Sequence, residues 1–285
     1  MSVRPAPTDP ARLALNTVTV KERWTLRQAI EGCARHGLRG IAVWREDVNA
    51  LGLAETRKLL DAHGLTVPAL IRGGPFPSLD PAARKTAIDD ALRGIDEAAA
   101  IGAHSLLLVV GGLPAGSRDL AGARAMVRDA IAAMLPHARA AGMKLALEPL
   151  HPMFCADKSV ITTLEQANDL CDELDGESGA TLGVVVDAYQ TWWDPMLERE
   201  IRRAGRHGRL LGLHIDDWHV VPAHMSLDRG MMGDGVIDIA SIRGWMDEAG
   251  FTGFHEVELF SANTWWKRDP DEVIAICKER YATVC

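Results

Sequence analysis

The chain is 285 residues long and 47% apolar, near the usual size of one α/β barrel, although length alone also accommodates two ordinary domains. Its 31 basic and 39 acidic residues leave a formal charge of −8 with no basic run, so tight binding to nucleic acid is disfavoured and the expected partner is a small molecule. No run approaches the roughly 18 apolar residues of a membrane span, so no membrane partner is expected.

The opening stretch, residues 1–11, holds prolines and no apolar h-region and reads as a short tail. The five cysteines, Cys33, Cys155, Cys171, Cys277 and Cys285, are odd in number and lack C-x-x-C spacing. That suits free thiols in a reducing compartment, and with no secretory signal the expected location is the cytoplasm.

From residue 12 onward a short β-rich segment is followed by a helical stretch, eight times. The strand candidates are Arg12 to Val18, Gly40 to Arg45, Leu65 to Arg72, Ser105 to Val110, Lys144 to Glu148, Leu182 to Asp187, Leu210 to His214 and Phe254 to Phe260. Helical patterns lie between them, over Thr25 to His36, Ala54 to His63, Pro81 to Ile101, Asp119 to Ala141, Thr163 to Leu174, Met196 to Arg206, Ile237 to Ala249 and Pro270 to Tyr281. Several run into a glycine suited to a left-handed cap, such as Gly64 and Gly102, while Asp269-Pro270 and Ser78 to Pro81 read as starts. Strands alternating with helices imply parallel pairing through right-handed crossovers, and eight units are enough to close a sheet. The G-x-G-x-x-G that marks an open doubly wound sheet is absent. The expected fold is a single (β/α)₈ barrel over residues 12–285.

The last four strands end in ionisable residues. In KLALE, Leu145 and Leu147 share one face and Glu148 takes the other, at the carboxyl end. In LGVVVD, Val184 and Val186 point outward and Asp187 inward; in LLGLH, Leu211 and Leu213 are expected outward and His214 inward. In FHEVELF, Glu256 and Glu258 both face the lumen. Taken singly, each fits a solvated rim group or half of a salt bridge. Together, three carboxylates and an imidazole crowd the barrel mouth, and a divalent cation is the simplest way to make the cluster tolerable. Oxygen-rich ligation with one histidine fits Mn²⁺, the leading expectation, or Mg²⁺, Co²⁺ or Fe²⁺ better than a closed structural zinc site, and leaves Zn²⁺ as a remaining alternative.

The segments LALEPLHP, GVVVDAYQTWWDP, LLGLHIDDW, RGMMGDGVIDI and EVELFSANTWW resemble the xylose-isomerase-like barrel superfamily of sugar isomerases and epimerases. The resemblance implies metal ligation by Glu148, Asp187, His214 and Glu258, and selects Glu258 over Glu256, which is then expected in a buried charge network. In the ketose epimerases of this group the two ligand glutamates flank the substrate and move a proton beside a carbonyl through a metal-stabilised enediolate. Glu148 and Glu258 match those positions, so the expected activity is a sugar isomerase or epimerase acting on a ketose, inosose or oxo-sugar. Members often form dimers or tetramers, so the resemblance allows a homo-oligomer, and the sequence itself does not fix the oligomeric state.

Two departures bear on the substrate. The epimerases commonly carry a histidine three residues after the aspartate, where this chain has Gln190. The basic residue expected after the strand-seven histidine is best matched by Arg229, a candidate for substrate oxygens or for pairing with Asp228 or Asp234. His151, between prolines 149 and 152, is a further acid or base candidate. The segment EPLHPMFCADKSVITTLEQANDLCDEL also resembles the large subunits of C-glycoside deglycosidases, which implies an alternative reaction, a lyase that expels water or an aglycone beside the ketone. Apurinic endonucleases use a similar barrel and cluster but need more histidines and a basic groove, against the charge of −8. A sugar-binding barrel without catalysis is a further alternative.

Among other features, Gly230, Gly233 and Gly235 surround Asp234, whose charge opposes a phosphate cradle, so a tight loop over the mouth is the expectation and this loop does not favour a phosphorylated substrate. Trp192 and Trp193, and Trp265 and Trp266, follow strands six and eight, where aromatic rings would wall a substrate site; Trp44 and Asn16 are further pocket candidates. Asp216 shares the face of His214 and is expected to orient a ligand.

Overall fold

In the computed structural model, residues 7–176 and 181–285 are described; residues 1–6 of the expected tail lie outside them. Eight parallel strands, Leu13–Asn16 (β1), Gly40–Trp44 (β2), Leu70–Gly73 (β3), Ser105–Leu108 (β4), Lys144–Leu147 (β5), Leu182–Asp187 (β6), Leu210–His214 (β7) and His255–Val257 (β8), pair in chain order, and β8 pairs β1 to close the barrel. Alternation along each strand builds two cores. Outward residues such as Leu145, Leu147, Val184 and Val186 pack against the helices, and small inward residues, Ala42, Ala69, Ala146 and Val185 with Ile71 and Leu107, fill the lumen. Each large side chain buried this way stabilises by roughly 1.5–3 kcal/mol.

Local signals set where the helices begin and end. Thr25 and Gln28 form a reciprocal capping box, Asp80 and Asp269 each cap a helix that begins with proline, and Gly64 and Gly102 close theirs at φ of 64° and 73°. No helix among the described residues is long and apolar enough to cross a membrane. Cys33, Cys171 and Cys277 are buried free thiols.

Several elements differ from expectation, each for a physical reason. The third strand starts at Leu70 and not Leu65, because Pro68 has no N–H to give the ladder; Thr66 and Val67 make only isolated bridges. The eighth leaves the sheet after Val257, and the Leu259 N–H bonds the Thr19 hydroxyl instead. Leu211 does not face outward. The register slips so that Val184 pairs Leu210 while Val185 pairs Gly212, and this extra residue turns Leu211 onto the lumen cluster. Two helices were not foreseen: Arg45–Leu51, and Ala188–Thr191, which Asp187 caps. The end of the expected tail is ordered, with a 3₁₀ turn over Pro10–Arg12 capped by Asp9.

Candidate metal centre

The carboxyl ends of β5 to β8 bring Glu148, Asp187, His214 and Glu258 together, all buried, with one ligand atom from each lying within 4.8 Å of the others. Asp187 and His214 close their strands and are register partners, while Glu148 and Glu258 stand one residue past β5 and β8. His214 Nδ1 lies 3.2 Å from Glu148 Oε1, 3.8 Å from Asp187 Oδ2 and 3.5 Å from Glu258 Oε2.

A ring of neighbours holds the four in place. Glu256, across the β7–β8 ladder from His214, places Oε1 2.7 Å from His214 Nε2, so the imidazole presents Nδ1 to the cluster. This is the buried charge network expected of Glu256. Asn16 donates to Glu258 Oε1 at 3.1 Å and accepts from the Trp44 indole at 2.9 Å, linking β1 and β2 to the site. The Gln190 N–H donates to Asp187 Oδ1 at 3.3 Å, and its side-chain oxygen accepts from the His151 N–H at 2.8 Å.

Arg229 pairs with neither Asp228 nor Asp234. Its Nη1 lies 2.8 Å from Asp216 Oδ2, 3.2 Å from Asp187 Oδ2 and 3.3 Å from Glu258 Oε2, and its guanidinium is sandwiched between Tyr189 and Phe260, 4.7 Å from each centroid. Asp216 therefore orients Arg229 and reaches the four clustered groups through it.

Burial and charge pull the group pKa values apart. Burial pushes Glu148 up to about 7, with His214 opposing and Glu258 reinforcing. Burial also acts against the Asp187 anion, but Arg229 and His214 outweigh it and hold that carboxyl below its ordinary value. For His214 burial is likewise overcome, and Glu258 and Glu256 raise the imidazole well above its usual value. Asp216 is driven well upward by burial and by Asp187.

The donor set fits a divalent cation. Glu148 Oε1 and His214 Nδ1 are buried without a hydrogen-bond partner although they face each other. A buried polar atom left unpaired costs roughly 1–3 kcal/mol. A cation among the four groups would engage both atoms and replace the proton that the carboxylates otherwise draw onto His214.

Beside the cluster lies a cavity of about 480 Å³ whose lining includes Glu148, Glu258, Gln190, Arg229, Trp44, Phe154, Phe260, Arg72 and Lys158. Several expected residues are not in that lining. His151, an acid or base candidate, accepts the Met153 N–H on Nδ1 at 3.2 Å and packs its ring against Trp218 and Trp193, with centroids 5.1 and 5.6 Å away, outside that lining. Trp192 packs on Trp218 and not on the cavity, because the short helix after β6 turns it toward the core. Trp265 and Trp266 are buried, their indoles donating to Asp234 and to the Leu259 carbonyl. The glycine loop is neither cradle nor lid: the Asp217 carboxylate accepts the N–H groups of Gly233, Gly235 and Ile237, and Met231 and Met232 enter the core. Phe154, Phe260, Arg72 and Lys158 were missed. Phe154 and Lys158 stand within the segment likened to deglycosidases and Phe260 within EVELFSANTWW, while Arg72 has no pattern beyond its position at the end of the expected third strand.

A comparison with protein-family models matches residues 30–277 to the xylose isomerase-like TIM barrel. No curated protein matches. Among solved structures, protein SMc04130 from Sinorhizobium meliloti 1021 is 50% identical, with 97% of this chain and 99% of that one covered and a TM-score of 0.94. The IolI protein with a bound zinc atom is 22% identical over 96% and 97% of the two chains, with a TM-score of 0.81. A D-psicose 3-epimerase is 18% identical over 95% and 97%, with a TM-score of 0.75. The last two likenesses concern the fold.

Proposed function

Because the chain belongs to the xylose isomerase-like TIM barrel family, we propose that it is a divalent-metal-dependent sugar isomerase or epimerase that moves a proton beside the carbonyl of a ketose, inosose or oxo-sugar. One observation carries the reading: of the four clustered groups, Glu148 and Glu258 also line the cavity, so two carboxylates from β5 and β8 face one substrate-sized space. A cation held by Glu148, Asp187, His214 and Glu258, Mn²⁺ foremost, would polarise the substrate carbonyl and stabilise the charge developing on its oxygen by several kcal/mol.

The remaining chemistry belongs to the chain. Glu148 lines the cavity and its Oε1 has no hydrogen-bond partner, so the carboxylate is free to act as general base. It takes the proton from the carbon next to the carbonyl; the C–H pair becomes the new C=C bond of an enediolate and the carbonyl π pair moves onto oxygen. Glu258, held by Asn16 and Arg229 and carrying a proton taken from solvent, delivers it to the same carbon in an epimerase. In an isomerase the proton goes to the neighbouring carbon while the hydroxyl proton of the first carbon moves to the former carbonyl oxygen, and in both Glu148 returns its proton to solvent. Positioned proton transfer of this kind contributes on the order of 10²–10⁴-fold. Phe154, Phe260 and Trp44 wall the cavity and limit water around the exchanging proton. The likeness of fold to a D-psicose 3-epimerase supports the reaction class, and the likeness to IolI, which holds a zinc atom, supports a divalent metal. The lyase alternative leaned on His151 as base; that ring is engaged with Trp193 and Trp218, and this reading is the weaker.

The test is incubation of Mn²⁺-loaded protein in D₂O with ketoses, inososes and 3-oxo-glucosides, read by NMR. Deuterium entering beside the carbonyl without loss of a group supports the reading; loss of water or aglycone replaces it with the lyase.

A further inference from the structure

The cavity has two ends of opposite character. At the buried end stand Glu148 and Glu258; at the more exposed end stand Arg72, which is solvent-exposed, and Lys158, which is half-buried. The third basic lining residue, Arg229, is neutralised by Asp187, Asp216 and Glu258. Arg72 and Lys158 are not: among the described residues neither has a carboxylate within ion-pair distance.

Lys158 Nζ donates one hydrogen bond, to Ser226 Oγ at 2.8 Å, and sits 4.2 Å from the centroid of the Phe154 ring. An ammonium has three donors, so two remain. Burial lowers its affinity for the proton, Asp157 opposes, and the charges of Arg229 and Arg72 reinforce the lowering, which places the three cations within electrostatic reach of one another. Outside the metal cluster Asp157 is the single acidic lining residue against these two unpaired cations. A neutral sugar presents hydroxyls that both donate and accept, whereas Arg72 and Lys158 offer donors alone and have no carboxylate within ion-pair distance among the described residues. Charged donors of this kind are matched by an anion, and a guanidinium beside an ammonium suits its planar or tetrahedral oxygens.

We propose that the substrate carries an anionic group, a carboxylate or a phosphate, at the end remote from its reacting carbonyl, and that Arg72 and Lys158 seat it at the cavity mouth. This names the substrate class of the isomerase reading above and rests on it. Arg72 and Lys158 are then specificity determinants and take no part in the proton transfer at Glu148.

The test is calorimetric titration of the Mn²⁺-loaded full chain with three ketohexoses that differ only at the far carbon: the alcohol, the carboxylate and the 6-phosphate. At least one anionic form binds about tenfold or more tightly than the alcohol, and the tighter of the two identifies the group. That preference falls several-fold in Lys158→Met and in Arg72→Met, two unbranched replacements at sites outside the core. Equal binding of all three, a preference that survives in both variants, or no binding of either anion overturns the proposal. Deuterium exchange in the same samples separates the two claims: exchange without preference removes the anion seat and leaves the isomerase standing, and preference without exchange does the reverse.

Discussion

Glu256 Oε1 lies 2.7 Å from His214 Nε2, and this contact decides which nitrogen of the imidazole faces the other three groups. A carboxylate behind a ligating histidine fixes the tautomer and raises its basicity, and losing such a partner weakens metal binding about 10–100-fold. Glu256→Gln keeps the shape and removes the charge. Mn²⁺ titration followed by electron paramagnetic resonance is expected to show that loss; an unchanged affinity would mean that Glu256 serves only the fold.

His151 offers a test of the placement least visible beforehand. Its Nδ1 caps the Met153 N–H and its ring packs against two tryptophans, so His151→Ala should cost on the order of 1 kcal/mol of stability and change the exchange rate by less than about tenfold. Urea unfolding and exchange kinetics on one preparation measure both. A fall of 10²-fold or more in rate with unchanged stability restores His151 as an acid or base.

These two residues mark how far the sequence could be read. The family resemblance chose Glu258 over Glu256, whereas strand-end alternation put Glu148, Asp187, His214 and Glu258 on the lumen face, because a period of two fixes the second face once the apolar one is known. It gave Glu256 the lumen but not its partner, which depends on β7–β8 register. His151 follows the last regular residue of its strand, where side-chain direction is set by loop contacts with Gln190, Trp193 and Trp218. Leu211 failed for a related reason: one extra residue in β7 inverts the alternation locally, and no composition signal announces it. Lys158 and Arg72 became visible only when loops distant in sequence met around one cavity.

Arg229 is the counter-charge for three buried carboxylates, Asp187, Asp216 and Glu258. Removing one partner of a buried ion pair costs about 3–5 kcal/mol, because the remaining charges stay desolvated. Chemical denaturation of metal-free Arg229→Met should show a loss of that size. A loss under about 1 kcal/mol, the scale of an exposed pair, would show that water screens the network.

His255, on the outer face of β8, predicts a pH dependence away from the site. Its ring stacks on Phe251, Nδ1 lies 2.8 Å from the Tyr281 hydroxyl, and Nε2 is buried without a partner. Burial, aided by the charges of Arg12 and Arg243, lowers its pKa from 6.5 to about 3. The folded value lies below the unfolded one, so the stability of the neutral form is complete above the unfolded pKa. It is lost as pH falls toward the folded one, at about 1.4 kcal/mol per pH unit. Urea midpoints measured from about pH 8 down to 5 should fall more steeply for the wild type than for His255→Gln. Parallel curves would show that the ring takes up its proton in the fold as readily as in the unfolded chain.

The central claim, that Glu148 and Glu258 form a proton-transfer pair at one metal centre, is tested most directly by solvent-deuterium exchange in three proteins loaded with Mn²⁺: the wild type, Glu148→Gln and Glu258→Gln. Once a responsive substrate is in hand, the account predicts exchange beside the carbonyl in the wild type and a loss of at least 10²-fold in each variant, with bound Mn²⁺ verified in every sample. Exchange at the wild-type rate in either variant, or none in a wild type that holds its metal and binds the sugar, would contradict it.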